Sequence, residues 1–182
     1  MVRGIIIILL DFSQIAIACV HILKDIGPIE PLSLKFGILN SIRRINKSYR
    51  RRYGRLVIAT DNANYWRKSA FKYYKANRKK DRDDSGIDWP LVFSILNDLR
   101  DEIKENFPYK VMDVPGAEAD DVIGVLVNQY RGVEEILIVS SDKDFIQLLG
   151  PNVSIYRPVQ DELLLFSEDP IDPIATPQDD DV

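Results

Sequence analysis

The stretch that decides the fold is YKVMDVPGAEADDVIGVLV, Tyr109 to Val127. Lys110 to Val114 reads as a strand, Pro115-Gly116 breaks the chain, and Val122, Ile123, Leu126, Val127 and Tyr130 then recur at helical spacing. A strand, a tight turn and a helix in immediate succession are half of a βαβ unit. The helix opens near Ala117 with three carboxylates in its first turn, Glu118, Asp120 and Asp121. Acids at a helix start complement the dipole and can cap it. Three of them directly after a strand also set up an anionic sheet edge.

The same pattern repeats outward from this unit. Downstream, EILIVSS is a strand ending at Asp142, followed by a short helix over 144–149 and a hairpin built from VSIYRP and ELLLF. Upstream, the unbroken apolar run at 4–10 has the β-branched character of a strand covered on both faces, and a helix follows to about Lys24. Beyond the breaks at Gly27-Pro28 and Pro31, Leu34, Ile38, Ile42 and Ile45 mark one face of a long helix, with Ser33 as its N-cap. RLVIAT is a strand ending at Asp61. The region 62–89 has no sustained periodicity and is expected to be mobile, with a short helix over 68–77 and a polar loop KKDRDDSG. Pro90 starts a helix that runs to Asn106. Strands alternating with helices predict an α/β fold around a mainly parallel sheet.

Composition narrows the function. With 46% hydrophobic residues in 182, the chain can bury a sizeable core. The first apolar run stops at Asp11, too short to span a membrane, and Asp11 and Gln14 interrupt any secretory signal. One cysteine and one histidine exclude a disulfide framework and a Cys/His zinc site from this chain alone, so a reducing cytoplasm is expected. His21 reads as a core or surface residue. The net charge of −4 hides a segregation: residues 43–82 carry 15 Lys/Arg against 2 acids, whereas residues 83–182 carry 6 against 23. A surface for polyanions therefore adjoins a strongly anionic one.

In parallel α/β sheets, sites form where strands end and helices begin. Asp11, Asp61, Asp113 and Asp142 each close or follow an apolar strand, and Glu118, Asp120 and Asp121 open a helix at the same edge. Singly, each has an ordinary role as a cap or an Asx turn. Together, so many anions cost several kcal/mol per desolvated ion unless a cation joins them. All-oxygen ligands suit Mg²⁺ or Mn²⁺, and a pair of such ions has a known use in displacement at phosphorus. The segment NYWRKSAFKYYKANRKK interleaves Arg67, Lys68, Lys72, Lys75, Arg78, Lys79 and Lys80 with Tyr65, Trp66, Phe71, Tyr73 and Tyr74, which suits single-stranded nucleic acid. Phe71 and one of the tyrosines are expected to pack inward. Arg43 and Arg44 begin a second basic run, either a duplex-backbone contact or an exposed helix end.

The strings LLDFSQIAI, ATDNANYWRKSAFKYYKANR, YKVMDVPGAEADDVIGVLV and ILIVSSDKDFIQLL together resemble the 5′-nucleases, or flap endonucleases, a family that includes the primer-removing RNases H of tailed bacteriophages. The resemblance implies a PIN-like domain over residues 1–166, a flexible basic arch over about 62–88, and metal-dependent 5′→3′ exonuclease or flap cutting of RNA primers or DNA flaps on duplexes. By position it implies Asp11, Asp61, Asp120 and Asp142 as first-metal carboxylates, Glu118 and Asp121 as direct or water-mediated partners, and Asp144 as a second-metal ligand. Lys75 and Arg67 correspond to arch residues that reach the scissile phosphate, and Arg78 to a further basic position.

The family's Gly-Asp-x-x-Asp-Asn string, on a helical clamp that grips the duplex, is not found in these residues. The resemblance then implies a fragment, a clamp on a separate chain, or a weakly held second ion with weak activity. The last sixteen residues, 167–182, hold three prolines and six acids and read as a disordered tail. A single-strand-binding protein or polymerase is a candidate partner, with no membrane, and the host cytoplasm is the expected location if the chain is phage-encoded. Two other readings stay open: a 5′-end or flap-binding module with negligible catalysis, and a PIN-type single-strand endoribonuclease.

Overall fold

The computed structural model describes residues 7–167 apart from 72 and 76, without the side chains of 77, 79 and 81. The start of the first apolar run, Lys72, the Lys79 side chain and the tail beyond Ser167 therefore lie outside the described residues.

Six strands form one sheet in the order β3-β2-β1-β4-β5-β6. They are β1 (Ile7–Asp11), β2 (Arg55–Thr60), β3 (Lys110–Asp113), β4 (Ile136–Val139), β5 (Val153–Arg157) and β6 (Glu162–Leu164). All pair in parallel except β6, the hairpin partner of β5. The helices are α1 (Phe12–Ile26), α2 (Pro31–Tyr53), α3 (Trp66–Ala70), α4 (Asn77–Asp83), α5 (Trp89–Asn106) and α6 (Ala119–Tyr130), with a 3-10 helix at Lys143–Leu148.

The unbroken apolar strands work because the pleat sends alternate residues to opposite faces, both of which are covered. Ile8 and Leu10 of β1, Leu56 and Ile58 of β2, and Leu137 and Val139 of β4 pack under α1, α2 and α5. Leu9, Ala59, Ile136 and Ile138 face the other way, onto Ala119, Val122, Ile123 and Val127 of α6. A one-residue slip would exchange the two cores, so the register is firmly set. It places Asp11 beside Ala59 and Leu10 beside Val139, which brings the ends of β1, β2 and β4 to one edge.

Three local expectations are corrected. Ser33 is not the cap of α2: the helix begins two residues earlier, at Pro31, whose fixed φ suits a first helical position. The expected helix over 68–77 is not continuous, since α3 ends at Ala70 and residues 73–75 form a turn; the predicted polar loop instead begins inside α4, a helix without an apolar stripe to betray it. α6 starts at Ala119 with Glu118 at its N-cap position, and Gly116 turns the chain there at φ 84°, a conformation that favours glycine.

Candidate metal centre and nucleic-acid interface

Asp11 ends β1 and caps α1, so one carboxylate oxygen, Oδ1, accepts the Gln14 N–H at 3.2 Å. Its Oδ2 accepts the Ser140 hydroxyl at 3.1 Å across the gap to the end of β4. Asp61, just past β2, accepts the Ala119 N–H at 2.8 Å and the Ser13 hydroxyl at 2.8 Å, tying β2 to the starts of α6 and α1. Asp142 caps the 3-10 helix through the Asp144 N–H and donates its own N–H to Ser140 Oγ.

These acids feel one another. Burial, with Asp61 and Asp120 adding repulsion, pushes the Asp11 carboxyl up from 3.8 to about 7 against the opposing hydrogen bonds. Asp120 is raised by burial first and then by Asp61, with Asp142 and Glu118 contributing and Lys75 opposing. Acids from the ends of β1, β2 and β4 and from the start of α6 thus share one electrostatic neighbourhood. Among the described residues, no three acidic side chains surround a common point closely enough to make a finished metal cage. The donor set still fits a hard divalent cation, because the oxygens are carboxylate and mutually repelling, and a cation would relieve that repulsion.

Counter-charge reaches this cluster from the segment between β2 and α5, the arch that the family resemblance implies. Glu118, 1% exposed, accepts Arg67 Nη1 at 2.8 Å, Lys75 Nζ at 2.7 Å and the Tyr74 hydroxyl at 3.1 Å. Asp121 accepts both Arg67 Nη1 and Nη2 at 2.7 Å, a two-pronged contact, and takes the Glu118 N–H at 3.0 Å. Burial would raise the Asp121 pKa, but Arg67 and the Glu118 N–H together outweigh it and hold it low. Arg67 is raised in turn, chiefly by its hydrogen bonds to Asp121. Burial opposes the Lys75 charge, and its hydrogen bonds to Glu118 and Tyr74 more than restore it. Lys75 sits at φ 55°, rare for a side chain of its size, and its ion pair to Glu118 helps hold it there. The three acids at the start of α6 therefore divide their roles: Asp121 completes the cap and holds Arg67, Glu118 holds the arch, and Asp120 joins the strand-end aspartates.

Not every expected residue arrives. Asp144 is exposed on the 3-10 helix, and Asp113 is engaged by Asn62 at 2.9 Å with Arg100 nearby, a structural tie between β3 and the arch base. Arg43 and Arg44 lie on α2, and no ion pair joins either to the strand-end acids among the described residues; Arg44 acts instead on Tyr49 and Tyr156. In the arch, the Arg67 guanidinium sits 4.8 Å from the centre of the half-exposed Trp66 ring. Lys68 lies over Tyr65, and Tyr65 meets Tyr74 edge-on. Arg78 is exposed on α4. Phe71 does not pack inward: it and Tyr73 are exposed at 58% and 69% with their rings 6.0 Å apart. Ser13 and Ser140, which orient Asp61 and Asp11, carry no sequence signal beyond standing two residues from a strand-end aspartate.

This geometry can be set beside known proteins. The sequence pattern of the 5′-3′ exonuclease, N-terminal resolvase-like domain matches residues 8–172. The chain belongs to this 5′-3′ exonuclease family. Ribonuclease H of Enterobacteria phage T4 is 41% identical over 159 residues, covering 84% of this chain and 52% of that protein. A 5′-3′ exonuclease of Buchnera aphidicola subsp. Acyrthosiphon pisum is 34% identical, covering 70% and 42% respectively. The chain spans about half the length of these relatives. The T5 D15 protein co-crystallized with metal ions superposes with a TM-score of 0.69 at 19% identity, covering 90% of this chain and 58% of its own. That match supports the PIN-like fold read from the sequence. No described helix is long and apolar enough to cross a membrane.

Proposed function

We propose that the chain is a 5′-nuclease domain, over residues 1–166 with the arch at about 62–88, hydrolysing phosphodiesters at 5′ ends or flaps of RNA primers or DNA on duplexes. The observation that carries this is the placement of Arg67 and Lys75 on acids of the same repelling cluster at the strand ends. Relatives named as Ribonuclease H and 5′-3′ exonuclease, and a solved T5 flap endonuclease in a complex with DNA and metal ions, point the same way.

In this reading Asp11, Asp61, Asp120 and Asp142 would hold Mg²⁺ or Mn²⁺, with Glu118 and Asp121 helping directly or through water. Asp144, exposed on the 3-10 helix, would hold a second ion only weakly. When bound, such ions supply Lewis-acid stabilisation and lower the pKa of water. The chain's own residues do the rest. Ser13 and Ser140 fix the carboxylate planes of Asp61 and Asp11. Lys75 and Arg67 exchange their carboxylate partners for the scissile phosphate and stabilise charge developing on it. Tyr65, Trp66 and Tyr74, with Lys68, Lys72, Arg78 and Lys79, guide the strand through the arch. A single-strand-binding protein or a polymerase would complete the assembly.

A labelled 5′-flap and a nicked RNA/DNA duplex, incubated with Mg²⁺, Mn²⁺ or EDTA, test the proposal. Metal-dependent products released from the 5′ end are expected. Binding without products at high protein would leave a flap-binding module, and a ladder of internal single-strand cuts would make it an endoribonuclease.

A further inference from the structure

The basic segment divides in the structure. Its second half is the arch; its first half lies on α2, whose last turn leads into the N-terminal end of β2, where Arg52 meets Glu135 and Tyr53 meets Ser154 at the edge opposite the carboxylates. There Arg43, Lys47, Arg50 and Arg51 line, with Asn46, a shallow groove of about 560 Å³. Their spacing puts them on one flank, beside the core-facing Ile42, Ile45 and Tyr53.

Ordinary helix chemistry does not account for this flank. Pro31–Tyr53 contains no acid. Lys35 pairs with Glu102 and Arg52 with Glu135, but no ion pair joins Arg43, Lys47, Arg50 or Arg51 to any described residue. Arg50 and Arg51 gain from the negative end of the helix dipole, whereas Arg43 and Lys47 lie outside the last turn. Arg43 and Lys47, then Lys47 and Arg51, repel at i,i+4. Cations held together in this way without a counter-charge are suited to an external polyanion.

We propose that this flank is a second nucleic-acid contact, gripping the phosphate backbone of the duplex at a distance from its 5′ end. Arg43 to Arg51 extends about 12 Å along the helix, the length of three to four phosphates of one duplex strand. No aromatic ring lines the groove, so it offers phosphate contacts without base stacking, in contrast to the arch. Strands of five to six residues separate the Arg50 and Arg51 end of the groove from the carboxylate edge by about 17–20 Å, roughly five or six base pairs. The identity of the ligand rests on the nuclease reading above.

The test compares wild type with the triple variant Lys47→Gln, Arg50→Gln, Arg51→Gln, first checked by thermal melting. Binding in EDTA is measured across a salt series, to a hairpin with a stem of about 24 base pairs and to one with about 4. For the long stem, the slope of log affinity against log salt should shrink by about 2.7, near 0.9 for each lost contact, with affinity falling about tenfold or more. The short stem should lose little. An unchanged slope on the long stem, or equal losses on both stems, would overturn the proposal. So would a poly-glutamate peptide that needs these cations while the duplex does not, because the surface would then serve an acidic protein. If wild type cuts nothing in Mg²⁺ yet the long-stem loss is seen, the contact stands and the nuclease reading falls. Cutting with an unchanged long-stem slope would instead sink the contact and leave the nuclease reading standing.

Discussion

Asp11 is the residue on which the carboxylate edge acts most strongly. Its folded-state pKa, about 7, lies above its ordinary value, so the folded protein holds a proton there that the unfolded chain has already released. Between about pH 4 and 7 the metal-free protein therefore loses stability as pH rises, by at most about 1.4 kcal/mol per unit from this group. Asp11→Asn removes that penalty. In EDTA at pH 8 it should raise the melting temperature by several degrees, at about 2–4 °C per kcal/mol, and the gain should vanish by pH 4. A variant that melts with wild type at pH 8 would mean that Asp11 is not held against its charge. The acids themselves are legible in the sequence because each stands where an apolar run stops. Ser13 and Ser140 are not, because each meets its aspartate across 48 and 129 residues, a distance no local pattern crosses.

Among the elements, α6 and the arch form one mechanical unit. Glu118 and Asp121 hold Arg67 and Lys75, and the Gly116 and Ala117 carbonyls accept the Trp66 and Asn62 N–H groups at the arch base. Asp121→Asn keeps an acceptor for the Glu118 N–H but discharges the contact with Arg67. Tryptic cleavage after Arg67 and Lys68 should then accelerate about tenfold, since local opening governs such cuts, while the melting temperature shifts little. An unchanged cleavage rate would mean that Arg67 does not tether the arch. α6 is readable because its apolar face and its start signals agree. α4 is not, because NRKKDRD has no apolar face and leaves no periodicity to find. The start of α2 escapes a sequence reading because Pro31, a breaker in most contexts, also serves as a first helical residue.

At the scale of the whole molecule, a mainly parallel sheet follows from alternating strand and helix patterns, but the strand order does not. Order depends on which apolar faces meet, and Ile8, Leu137 and Leu56 look alike in a one-dimensional string. That order makes the site, since β1 lies between β2 and β4 and gathers their terminal acids around its own. Magnesium at millimolar concentration should therefore raise the melting temperature, as any ligand of the folded state does, and most strongly at pH values where Asp11 must otherwise ionise unaided. A melting temperature indifferent to magnesium at pH 8 would count against a cation among these acids.

The uptake of Mn²⁺, followed through the electron paramagnetic resonance signal of the free ion, tests the shared carboxylate edge most directly. Wild type should remove at least one equivalent from solution. Asp120→Asn, half-buried and without a cap to lose, should keep the fold by circular dichroism while weakening that uptake tenfold or more. Equal uptake by both proteins would contradict the account.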